Sequence, residues 1–205
     1  MPEQVKIVTV EMYDPEIKTE EKLSDELCIL KFSENKDEAA FSCLVNRYSS
    51  SIRRIIFSVF RGPIEDIEDV EQEILLALYR GLPKFSFKSN FKTYLFRLCR
   101  NKAIDFIRRR KRQLNMEENL IKHHKISNLE TPETLHTRKV DKDNIMKILF
   151  ELKEKERSLI IMKDVENLSI AEIAEIFHRP SGTIKSRLHR ARLKAAEKMI
   201  ARGIR

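Results

Sequence analysis

Tryptophan is absent, and glycine occurs only four times in 205 residues. Tight hairpin turns lean on glycine, so a sheet built from hairpins is disfavoured and helices are favoured. Cysteine is scarce too. Cys28, Cys43 and Cys99 are scattered, odd in number and without metal-ligand spacing, as expected of free thiols in a reducing compartment. No apolar run reaches the length of a membrane span, and the acidic N-terminus does not read as a signal peptide. His123, His124 and His136 have no nearby cysteine partner and no helical spacing for a metal. A cytoplasmic protein is expected, with no membrane insertion, no metal, no cofactor and no catalytic residues.

What the chain does have is charge, unevenly spread. The formal net charge is +8, and hydrophobic residues make up 41%, enough for real cores. Within 92–112 there are nine Lys or Arg and one acid, Asp105; within 179–205 there are again nine, against Glu197. Between Glu65 and Glu73 lie six acids and no base, and the first forty residues hold eleven acids against five bases. Two basic poles and an acidic face point to more than one macromolecular partner, at least one of them polyanionic.

Helical periodicity recurs along most of the sequence. Residues 1–22 show no sustained period and read as a mobile arm. A short helix is expected over Ser24–Phe32, with Leu27 and Leu30 on one side. A long one is expected over Asp37–Phe60, with apolar residues at three- and four-residue steps from Ala40 to Val59. Gly62-Pro63 separates it from a third, Ile64–Arg80, whose acids crowd the first half, where the helix dipole favours them. Gly81-Leu82-Pro83 stops that helix, Phe85–Asn90 forms a loop, and a fourth helix is predicted over Phe91–Arg112. Residues 113–140 are polar and aperiodic and read as a linker; 141–205 form a second helical unit. The fold class is therefore all-α, two small helical domains (23–112 and 141–205) joined by a flexible linker.

The C-terminal unit carries the clearest motif. Ser169-Ile-Ala-Glu172 is a capping box, His178-Arg179-Pro180 breaks the helix it starts, and Ser181 is expected to cap the next. Two short helices across a tight break make a helix-turn-helix. Ile184, Leu188, Ala191 and Ala195 fall on one side of the second helix, and Lys185, Ser186, His189 and Arg190 on the other. Lys and Arg can donate to guanine O6 and N7 in the major groove. Thr183 and the helix start suit a phosphate.

The stretches Leu149-Phe-Glu-Leu-Lys-Glu-Lys-Glu-Arg157, Asn167-Leu-Ser-Ile-Ala-Glu-Ile-Ala174 and Ser181-Gly-Thr-Ile-Lys-Ser-Arg-Leu-His-Arg-Ala-Arg192 resemble the C-terminal domain of the sigma-70 family of bacterial RNA polymerase sigma factors. Lys153 stands where that family often has Pro. Asp66-Ile-Glu-Asp-Val-Glu-Gln-Glu73 is similar to the family's polymerase-binding helix, and Ser89–Arg108 to its minus-ten segment. The matches cover about 37–112 and 141–200 with no room for a further domain between, which indicates the extracytoplasmic-function (ECF) group.

The resemblance implies three contacts. Thr183, Lys185, Ser186, Arg187, His189 and Arg190 would read the minus-thirty-five element as duplex. Phe85, Phe87, Lys88, Ser89, Lys92, Tyr94, Arg97, Arg100, Asn101 and Lys102 would hold the minus-ten strand unpaired. Asp66, Asp69, Gln72 and Glu73 would dock on the clamp coiled coil of core RNA polymerase. The implied partners are core polymerase (clamp and flap), promoter DNA and an anti-sigma factor. Tyr94 stands where the family commonly has Trp, and can be read as a base-stacking ring or as core. The loop Phe85–Asn90 departs from the Arg-Gly-Asp type, which leaves the preferred base open. Extended, a 28-residue linker spans at most about 90 Å, enough to tether modules on two promoter elements. Two rivals remain. A helix-turn-helix regulator that never meets polymerase explains 169–192 but not the acidic helix or 89–108, and a magnesium site at the acids lacks a phosphate-binding loop beside it.

Overall fold

The computed structural model describes residues 23–120 and 147–202, with side chains from 115 to 120 left aside. Every regular element among them is helical. Helix α1 (Asp25–Asn35) starts where Ser24 Oγ accepts the Leu27 N–H at 3.2 Å and ends at Lys36 in the left-handed region. Helix α2 (Glu38–Val59) follows at once, because Asp37 Oδ1 accepts the N–H groups of Ala39 and Ala40 at 3.0 and 3.1 Å. Helix α3 (Ile64–Gly81) leads into a 3₁₀ turn, Leu82–Lys84, and helix α4 runs from Phe91 to Leu120.

These helices share one core. Phe32, Leu44, Ile52, Ile55, Ile56, Ile67, Ile74, Leu78, Leu95 and Phe96 are all 2% exposed or less. Each such side chain stabilises the fold by about 1.5–3 kcal/mol relative to exposure. Two expectations change. Helix α1 buries Cys28, Ile29 and Phe32, while Leu27 and Leu30 stay exposed, because Phe32 must meet the rings of Phe41 and Tyr79 about 5 Å away. Helix α4 runs on past Arg112 to Leu120. The added residues are mostly good helix formers without an apolar stripe, so propensity extends the helix where periodicity is silent.

The C-terminal unit begins with helical residues 147–151 and continues as α5 (Glu154–Ile160), α6 (Ile170–Phe177) and α7 (Ser181–Ala201). Helix α5 widens into a π turn, Ile161–Val165, where the Glu166 N–H reaches the Ile161 carbonyl at 2.9 Å. Leu149, Leu159, Met162, Leu168, Ile173, Ile176, Ile184, Leu188 and Ala191 fill its core. The two units pack directly on each other, α2 against α5 and α4 against α6. The sequence reading of 1–22 and most of the 113–140 segment lies outside the described residues. Among those described, the three cysteines are free, and no helix is long and apolar enough to cross a membrane.

Candidate nucleic-acid interface

The helix-turn-helix is built by local rules. Ser169 Oγ accepts the Glu172 N–H at 3.2 Å, and the Glu172 carboxylate accepts the Ser169 N–H at 2.8 Å, closing the capping box. His178 turns left-handed (φ 50°), and the Arg179 N–H closes the end on the Ala174 carbonyl at 3.0 Å. Ser181 proves to be the first residue of α7 and not its cap. The Pro180 carbonyl takes that place, accepting from Thr183 and Ile184 at 2.9 and 3.1 Å. Ile184, Leu188 and Ala191 are buried, while Lys185, Ser186, His189 and Arg190 are exposed together; Thr183 and Arg187 are half-buried at the margins. The rest of α7 is fixed by ion pairs of Arg192 with Asp164, Lys194 with Glu156, and Lys198 and Arg202 with Glu151.

In the N-terminal unit, Phe85, Lys88, Ser89, Tyr94 and Arg97 line one cleft of about 380 Å³ with Gly81, Lys84 and Ser86. Gly81 lets the Tyr94 ring close the cleft, since a Cβ there would lie 2.5 Å from the Tyr94 hydroxyl. Tyr94 is both wall and core. Its ring lies 5.0 Å from Phe85 and 6.5 Å from Phe91, and burial pushes its hydroxyl pKa up. Phe87 is 45% exposed, with its ring 5.0 Å from Phe85. A concave, aromatic-walled cleft rimmed by lysines can hold an unstacked base and its phosphate.

The other candidates of this unit separate into groups. Asn101 is exposed and Lys102 half-buried on α4. On α3, Asp69 and Gln72 are exposed, Asp66 is half-buried and Glu73 pairs with Arg109 at 2.5 Å. Lys92 and Arg100 instead face the C-terminal unit, and Arg97, at the edge of the cleft, reaches that unit as well. Lys92 Nζ donates to the Glu166 carbonyl at 2.5 Å, Arg97 pairs with Glu175 at 3.1 Å, and Arg100 reaches Glu154 at 3.5 Å while lying over the Phe177 ring at 4.3 Å.

Sequence reasoning missed the junction between the units. Thr93, fully buried, donates to Glu172 at 3.2 Å. Glu166, 3% exposed, accepts from Ser51 Oγ at 2.9 Å and Arg54 Nε at 2.6 Å. The hydroxyls of Ser58 and Ser158 meet at 2.9 Å, and Arg157 Nε donates to the Ser58 carbonyl at 2.8 Å. Burial pushes the pKa of Arg157 and of Arg100 down. The only available signal was Ser51 and Ser58 interrupting the apolar stripe of α2. Among the described residues, no group of three His, Cys, Asp or Glu is placed to hold a metal.

Comparison with known proteins adds to this geometry. The family profile for Sigma-70 region 2 matches residues 44–113, and that for Sigma-70, region 4 matches 142–194. The ECF RNA polymerase sigma-E factor of Haemophilus influenzae is 30% identical over 183 residues, covering 84% of this chain and 93% of its own. The ECF RNA polymerase sigma factor SigW of Bacillus subtilis is 29% identical over 163 residues, 76% of this chain and 87% of that one. Two solved structures share the fold. The sigma factor RpoE in complex with the anti-sigma factor NepR from Bartonella quintana has a TM-score of 0.65 at 24% identity, over 78% of this chain and 96% of that one. CnrH in complex with the cytosolic domain of CnrY has a TM-score of 0.61 at 21% identity, over 86% and 97%.

Proposed function

Since this chain belongs to the sigma-70 family of RNA polymerase sigma factors, in its ECF group, we propose that it brings core polymerase to promoters through three separate surfaces. The exposed edge of α7, Lys185, Ser186, His189 and Arg190, reads the minus-thirty-five element in the major groove, with Thr183 and Arg187 on flanking phosphates. The cleft walled by Phe85 and Tyr94, with the exposed Phe87 ring against Phe85, receives an unpaired minus-ten base. Lys88, Ser89, Lys92, Arg97, Arg100 and Lys102 hold the strand, and Asn101 reads a base edge. Phosphates are present in paired and unpaired DNA alike, so the stacking surface is what favours the open state. Asp66, Asp69, Gln72 and Glu73 dock on the polymerase clamp.

The chain divides into 23–112 and 141–205, with 113–140 as the tether. It supplies no reacting group; the chemistry belongs to the polymerase, which places the protein in the cytoplasm. An anti-sigma factor is a fitting regulator, since RpoE of Bartonella quintana was solved in complex with the anti-sigma factor NepR.

The observation that carries the reading is the sorting of α7 into a buried apolar side and an exposed basic one, directly after a capped and broken α6. Replacing Lys185 and Arg190 by Ala removes two base-edge donors, each worth about 1–3 kcal/mol of discrimination. Footprinting on promoter duplex should then show protection lost, while retention on core polymerase is unchanged. Full protection by the double variant would refute the assignment of this face.

A further inference from the structure

The cleft beside the start of α4 is one-sided in its hydrogen-bonding chemistry. Lys84, Lys88 and Arg97 supply donors only. Ser86, Ser89 and the Tyr94 hydroxyl can act either way, and the lining holds no carboxylate and no side-chain amide. Acceptors nearby are engaged elsewhere. Asn90 Oδ1 accepts the Lys92 N–H at 2.9 Å, and the Glu175 carboxylate pairs with Arg97 at 3.1 Å. The flanking carbonyls of Leu82 and Asn90 accept the N–H groups of Phe85 and Tyr94 at 3.0 and 3.1 Å. The aromatic side of the cleft is fixed too. Phe85 and Tyr94 lie 5.0 Å apart, ring to ring. Phe87 takes φ 54°, rare for an aromatic residue, and its ring remains exposed. A loop held in that conformation keeps an apolar ring at the mouth, where a flat heterocycle can stack.

The four bases differ at the edge that such donors would meet. Guanine shows O6 and N7 there and thymine shows O4, all acceptors, whereas adenine and cytosine place an exocyclic amine there. An amine brought against Lys84 or Lys88 finds no acceptor, and a donor taken from water and left unpaired is costly. We infer that the cleft selects a keto base, guanine or thymine, over adenine and cytosine. The inference rests on the base-receiving cleft proposed above and adds the base chemistry that it takes. Stacking is blind to this difference, since every base has a π-face; the rim lysines carry it.

Short fluorescent oligonucleotides that carry one base among abasic sugars test this with the full chain. Their phosphates are identical, and the strand can slide until the base reaches the cleft. Hypoxanthine and adenine differ by a carbonyl against an amine on the same double ring, and uracil and cytosine do so on the single ring. By anisotropy, the hypoxanthine strand should bind about tenfold more tightly than the adenine strand, and uracil than cytosine, the scale of one base-edge contact. Guanine against thymine in the same strand tells which keto base fits better; a keto base leads in either case. Lys84→Glu or Lys88→Glu, made separately, puts an acceptor at the rim and should turn the preference toward cytosine and adenine, a reversal that loss of folding would not produce. Suppose base-bearing strands outbind the bare abasic strand. Equal binding of keto and amino bases, tighter binding of the amino bases, or a keto preference kept in both Glu variants would then overturn the inference and leave the base-receiving cleft intact. A bare strand that binds as well as the others, or no binding at all, would overturn that reading of the cleft and the inference with it.

Discussion

A single carboxylate, Glu172, serves two purposes, and its protonation reports on both. Burial pushes its pKa up, but bonds from the Ser169 hydroxyl and N–H, the Thr93 hydroxyl and the nearby Lys92 outweigh this and leave it below the ordinary carboxylate range. Glu151 and Glu156 are lowered as well, chiefly by hydrogen bonds from Lys198 and Lys194. A carboxylate depressed in the folded state contributes stability that is complete above its unfolded pKa and is lost as pH falls through its folded pKa. Urea midpoints should therefore hold from neutrality down to the ordinary carboxylate range and drop below it, and Glu172→Gln should make the drop shallower. An unchanged pH profile in that variant would show that Glu172 gains nothing from its partners. At this scale the sequence was only half legible. Ser169 and Glu172 announce a capping box by spacing alone, whereas Thr93 as the second partner of Glu172 depends on a contact 79 residues away. Glu166 gave no signal either, because a buried acid is identifiable only once its donors are placed around it.

Among the elements, α6 and α7 are the most fully specified by local chemistry. The cap at Ser169, the left-handed His178 and the Pro180 carbonyl fix start, stop and restart. Ser169→Ala should cost about 1 kcal/mol, the usual worth of an N-cap. Ile184→Ala, which empties a fully buried position behind the readout edge, should cost about 2–5 kcal/mol. Chemical denaturation of both variants checks the order; equal losses would mean that α7 is not seated through Ile184. The placement of these helices followed from apolar spacing, as did that of α2 and α3. The full extent of α4 did not. Lys111, Arg112, Gln113 and Leu114 continue it as exposed residues, and an element that packs against nothing there leaves no apolar period to detect. Helix α1 misled for the opposite reason. Leu27 and Leu30 are its more conspicuous apolar pair, yet Cys28, Ile29 and Phe32 carry the stripe that meets α2.

For the molecule as a whole, uneven charge was the informative quantity. Two basic poles and one acidic stretch, visible in composition before any helix was placed, became the α4 stripe, the α7 edge and the α3 acids. Composition could not reveal that acids of the C-terminal unit fold back onto the α4 pole, because like and unlike charges are paired by tertiary contact and not by order along the chain. The α4 cations that pair with these acids are among those proposed to meet promoter DNA, and core polymerase is proposed as a separate partner. The acids of α3 are the surface proposed for core polymerase. Asp69 and Gln72 are exposed with the two units packed together and need no rearrangement to be reached.

The most direct measurement is run-off transcription by purified core polymerase on a library of promoter fragments, with and without this protein. Addition of the native chain should yield discrete, promoter-dependent transcripts. The same chain carrying Asp66→Arg and Asp69→Arg should neither co-elute with core nor support those transcripts, although it still protects promoter duplex. A native chain that fails to join core polymerase at low salt, or that leaves its transcripts unchanged, would contradict the account, however tightly it binds DNA.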